Sequence, residues 1–194
     1  MRSKLTILGL VGLLLAGAGA LHAQEAKGPM PVFEAKRGKV TEAINTKLGA
    51  VFDLGHGVTM TFPKGLPVGQ SRLVTLQKGR GLPGKLIHKK WKPLGKALDF
   101  NGAFSTSGKP IILAMPMKRD PVKRGMRLVV AMEIGTFCEG PNKKYKLKGG
   151  LCSGFELHDA EYDAASKRMV AELESTGGLR MQFGLVPEDT GDED

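Results

Sequence analysis

Between Asp53 and Asp99 the chain carries nine basic side chains and no carboxylate: Lys64, Arg72, Lys78, Arg80, Lys85, Lys89, Lys90, Lys92 and Lys96. The last seven share the stretch from Lys78 to Lys96 with the single tryptophan, Trp91, four glycines and two prolines. Amines and guanidinium groups with no acid among them attract phosphate, sulfate or carboxylate groups. An indole set between them can stack on a base or a sugar. Lys78, Arg80, Lys85, Lys89, Lys90, Trp91, Lys92 and Lys96 therefore form the candidate anion-binding set. A structureless loop of this length is uncommon in a compact domain unless it is functional or disordered. The alternative is a solvated loop whose lysines only keep the protein in solution.

Other residues invite chemistry less strongly. The two cysteines, Cys138 and Cys152, flank a turn-rich stretch, EGPNKKYKLKGGL, and allow one pairing, which predicts a disulfide in an oxidising compartment. Closing that loop stabilises the fold by about 3 kcal/mol in the chain-entropy picture. Two separately buried thiols are the alternative, and with no nearby His the pair cannot complete a zinc shell. Asp159, Glu161 and Asp163 alternate along a strand and could seat calcium, but the solvated outer face of a strand looks the same. Met115, Met117 and Met126 offer thioethers to Cu(I) or, as methionines on strands usually do, fill the core. His56, His88 and His158 stand apart. There is no nucleophile elbow, no paired-His motif and no phosphate-cradling loop opening a helix. The expectation is a protein without cofactor, metal or catalytic residues.

The elements that must position these residues begin after a leader. Residues 1–23 hold two basic residues, an uncharged run from Leu5 to Ala16, and small residues ahead of two cleavage points, Ala18-Gly19-Ala20 and Leu21-His22-Ala23. This is the pattern of a signal peptide cut after Ala23. The run is shorter than the roughly 20 residues of a spanning helix, so the expected location is exported, periplasmic or extracellular. Residues 24–49 read as a lead-in, with Val40, Ile44 and Leu48 spaced for one or two helical turns or for a strand. A domain from 50 to 186 and an acidic tail, 187–194, complete the chain. The totals are 29 basic against 19 acidic residues, a net charge of +10, and five of the acids fall in the last seven residues, so the body is more basic than the total suggests.

From residue 50 onward the apolar period is two. Val58, Met60 and Phe62 alternate with Thr59 and Thr61, and Pro63, Gly65 and Gly69 make a turn before Val74 and Leu76 resume the alternation. Residues 50–53, IILAMPM from Ile111, MRLVVAMEI from Met126, and the runs through Leu157, Ala171 and Phe183 read as further strands. MRLVVAMEI is apolar on both faces, as for a strand packed between layers. In the run from Phe155 to Tyr162 the phase slips between Leu157 and Ala160. Many short strands between glycine and proline turns predict an all-β fold, an antiparallel β-sandwich with long loops.

VTMTFPKGLPVGQSRLVTL followed by LDFNGAFSTSGKPIILAMPM resembles the β-sandwich domain of ankyrins, netrin receptors and zonula-occludens proteins, and that domain's bacterial exported relatives. The features carrying the resemblance are Phe62, Pro63, Gly65, Phe104, Pro110 and Leu113, within about 50–117; beyond that only the strand rhythm agrees. Some relatives cleave themselves at His-Phe-Ser, but here Ala103 precedes Phe104-Ser105, so that activity is not implied. The resemblance implies a protein-interaction or scaffold module with an envelope protein as partner. The charge implies a basic adhesion module for an acidic polymer: polysaccharide, lipid headgroups or DNA.

Overall fold

The computed structural model describes residues 28–45, 47–66, 72–102, 104–105, 108–147, 149–176 and 180–188. The leader 1–23 and most of the acidic tail lie outside these residues. Eleven strands form one sheet: β1 (Val32–Glu34), β2 (Lys39–Ile44), β3 (Ala50–Asp53), β4 (Thr59–Phe62), β5 (Arg72–Lys78), β6 (Lys92–Asn101), β8 (Ile111–Pro116), β9 (Met126–Thr136), β10 (Cys152–Asp163), β11 (Arg168–Leu173) and β13 (Arg180–Pro187). The short strands β7 (Phe104–Ser105) and β12 (Ser175–Thr176) pair separately, and α1 (Gly84–Ile87) is a single turn.

The all-β expectation holds, but the two separate antiparallel sheets do not. The strand order β1-β3-β4-β8-β11-β10-β9-β13-β6-β5-β2 is one continuous sheet, nearly closed into a barrel, and it is mixed because β1 runs parallel to β3. The reason lies in β10. Residues 152–159 pair with β9, whereas 160–163 pair with β11, so one strand carries the sheet round a bend. The two halves then face each other across one core. Phe33, Phe52, Phe62 and Phe100 form a relay of ring contacts with centroids 5.6, 5.5 and 6.3 Å apart. Its last step joins β4 to β6, six places apart in the sheet, which only facing halves permit.

The stretch read as a lead-in supplies β1 and β2, and the helical alternative for 41–48 gives way to β2 over Lys39–Ile44, paired with β5. A spacing of four is even, so Val40 and Ile44 share a strand face as well as a helix face, and both are buried. β1 and β2 are the two edges of the sheet and are joined by Arg37-Gly38. Both turn residues have positive φ, 54° and 76°, the backbone of a two-residue hairpin turn whose second position suits glycine. Lys36 and Lys39 exchange N–H···O bonds of 3.0 and 3.2 Å across it, bridging the seam at one point.

β9 is buried on both faces from Leu128 to Glu133. Leu128 and Val130 belong to the central core. Val129 and Ala131 face outward beside Gly184 and Gln182 of β13, and the layer that covers this side is the basic segment after β5. Cys138 and Cys152 are joined as expected, with Cα atoms 5.0 Å apart. Among the described residues no helix is long and apolar enough to cross a membrane.

Candidate functional site

The segment from Lys78 to Lys96 is not one loop. Lys78 ends β5, residues 84–87 form α1, and Lys92 and Lys96 lie on β6. Pro93 and Gly95 disguise the start of that strand, and its pairing with β13 shifts register between Met181 and Phe183, which lets residues 95–97 bulge. Between β5 and β6 the chain crosses the outer face of the sheet and is fastened there. Gly79 donates its N–H to the Ala97 carbonyl at 2.8 Å. Leu82 is buried and donates its N–H to Gln182 Oε1 at 3.1 Å, and Gln182 Nε2 donates to the bulged Gly95 carbonyl at 3.0 Å. The buried Gln182 amide thus ties the crossing segment to the bulge. Its side-chain polar groups are satisfied by backbone, which makes its burial tolerable.

Trp91 is the second fastening. A Cβ built on Gly84 would stand 2.5 Å from its Cδ1, and one on Gly184 would stand 2.2 Å from its Cη2. One end of the indole therefore abuts α1 and the other abuts β13, where only glycine leaves room. Its Nε1 is buried without a hydrogen-bond partner among the described residues. The ring thus packs on its own sheet, and the residue remains half-buried.

Lys78, Arg80, Lys85, Lys89, Lys90, Lys92 and Lys96 are all exposed. The backbone brings them further company that sequence reasoning missed. Lys39 neighbours β5 with its register partner Gln77, and the Gly38 carbonyl lies 3.4 Å from Lys78 N, so exposed Lys36, Arg37 and Lys39 adjoin the same end of β5. The signal was the KRGK run, readable as a charged hairpin turn. The carboxylate that comes near is Asp99, which accepts from Gln77 Nε2 at 3.3 Å and lies against Gly79.

Beneath this face is a buried charge cluster. Glu133, 1% exposed, accepts from Arg180 Nε at 2.6 Å and from Arg180 Nη2 at 2.7 Å, and Ser153 Oγ also donates to it. Burial alone would raise the Glu133 pKa, but the hydrogen bonds from Arg180 and Ser153 outweigh it and hold the carboxyl below its ordinary value. The hydrogen bond to Glu133 in turn raises the Arg180 pKa. A carboxylate so stabilised is a weak base. The cluster ties β9, β10 and β13 together.

The remaining candidates separate. Asp159 takes a 2.6 Å bond from Arg127, and Asp163 caps its own turn by accepting from Ala165 N at 2.9 Å and Ser166 Oγ at 2.5 Å. Glu161 is exposed, and among the described residues no group of three His, Cys, Asp or Glu could hold a metal ion. Asp159 instead lines an open cleft of about 760 Å³ with Leu157, His158, Glu172 and Glu174. Met115 is core, and Met117 and Met126 pack at its margin. His88 Nδ1 accepts from Lys90 N at 2.9 Å, a local turn contact. No protein-family model matches this sequence, and no curated protein matches it.

Proposed function

We propose that the protein is an exported, non-enzymatic binding module that holds an acidic polymer against the cationic surface of residues 78–96. The observation that carries this reading is the display of seven exposed cations, with no acid between them in sequence, on a segment fastened to the sheet by Trp91, Leu82 and Gln182. A fastened segment loses little backbone freedom on binding, so more of the electrostatic attraction reaches the affinity. Export agrees with the disulfide, a bond that persists in oxidising compartments. Trp91 serves as the anchor of the surface, not as a contact.

The test is a salt titration of binding to DNA and to an acidic polysaccharide, the parent beside Lys89→Gln/Lys90→Gln/Lys92→Gln. Each phosphate neutralised releases counterions worth about 0.9 in the slope of log K against log salt, so the triple variant should lower the DNA slope by about 2.7. Superimposable curves would end this reading and favour the scaffold role, with an envelope protein as partner, that the sequence resemblance implies.

A further inference from the structure

We propose that the disulfide-closed tip, residues 137–151, docks on an anionic lipid surface. The last register pair of β9 and β10 is Thr136 with Cys152, and Phe137 and Leu151 are the residues next to that pair on the two chains. Phe137 is 80% exposed and Leu151 42%. Both are apolar side chains left in water at the end of the sheet.

The fold holds that pair in place. The Cys138–Cys152 bond closes the tip. Asn142 Nδ2 donates to the Phe137 carbonyl at 2.9 Å, and Glu139 N donates to Asn142 Oδ1 at 2.7 Å. The Glu139 carboxylate caps the 3-10 turn Gly140–Lys144. Lys146 bridges Cys152, and Leu147 N bonds the Leu151 carbonyl at 2.8 Å. The same tip carries exposed Lys143, Lys144 and Lys146, with Glu139 as the acid engaged in the cap.

An exposed aromatic on a lysine-bearing tip matches the chemistry of a headgroup layer, where the ring enters the acyl boundary and the ammonium groups meet lipid phosphates. Two apolar side chains are too few for a stable protein interface, which buries more than about 1,000 Å². A bilayer accepts a single wedge, and the charge of the tip selects an anionic one.

Flotation with phosphatidylcholine vesicles, with and without phosphatidylglycerol, tests the proposal on parent and variants carried in the same form. The parent should bind the phosphatidylglycerol vesicles. Phe137→Ser should weaken that binding by about tenfold, the scale of burying one large apolar side chain. Lys143→Gln/Lys144→Gln should weaken it by about fivefold per lysine. Both variants should keep the parent's thermal midpoint, because the altered side chains are exposed. Absence of binding by the parent, or undiminished binding by either variant, would overturn the assignment.

Discussion

Gly184→Ala should dislodge Trp91 from the sheet. The new methyl would lie 2.2, 2.5 and 2.6 Å from the indole Cη2, Cζ2 and Cζ3, where ordinary carbon contacts sit at about 3.5–4.0 Å. The ring is rigid and has no retreat toward α1, since its Cδ1 stands within 2.5 Å of the point where a Gly84 Cβ would be. Overpacking of this kind costs about 1–3 kcal/mol, and complete expulsion of the ring approaches the roughly 3–5 kcal/mol of truncating a packed tryptophan. Urea unfolding followed by far-ultraviolet circular dichroism gives the stability, and the emission of the single tryptophan, shifted to the red, reports its exposure. In a Trp91→Ala background the same Gly184→Ala change should cost less than about 0.5 kcal/mol, because the clash is gone. A neutral Gly184→Ala with unshifted emission, or costs that simply add in the double variant, would refute the proposed contact.

Arg180→Gln should destabilise the protein by about 3–5 kcal/mol, since it leaves a buried carboxylate without its cation. The Glu133 pKa is depressed in the folded parent, so its contribution is present above the unfolded carboxylate's pKa and is lost as pH falls through the folded value. In the variant, burial without the cation raises that pKa, so denaturant unfolding should show a deficit largest at neutral pH and shrinking on mild acidification; a pH-independent deficit would contradict this. Phe62→Ala should lower the denaturant midpoint by the equivalent of about 3–5 kcal/mol, and Thr61→Ala by far less, because Phe62 is fully buried while Thr61 faces the other way. Equal shifts would mean the phase of β4 is wrong.

The strands were legible where one face is buried. Met60 and Phe62 alternate with threonines, and Met169, Ala171 and Leu173 are buried in turn along β11. The slip of phase between Leu157 and Ala160 was a sign of the larger architecture, since β10 changes partner after Asp159. No local pattern says which strand a strand will join next, so the single bent sheet could not be told from two stacked ones. The start of β6 was hidden because Pro93, Gly95 and two lysines, Lys92 and Lys96, are the composition of a loop, and the strand's start is recognisable only through β13 beside it. The basic residues from Lys78 to Lys96 were visible, whereas Lys36, Arg37 and Lys39 join them only through the pairing of β2 with β5, and the disulfide followed from having two cysteines. The role of Trp91 was not legible, because it depends on Gly184, 93 positions away in the sequence. The same holds for the Glu133–Arg180 pair, whose members meet only because β9 and β13 are adjacent.

The position of β13 has a consequence for the order in which the molecule is made. This strand lies between β9 and β6 and is buried from Met181 to Val186, yet it is the last of the described strands in chain order. Until residue 187 is available, β9 and β6 keep open edges, and neither Gln182, Arg180 nor Gly184 is present to receive the partners described above. The sheet therefore cannot close until residues 180–187 are in place, and pairings so distant in sequence form slowly even then. The segment that fastens the crossing chain and the buried charge pair is thus the one that locks the sheet.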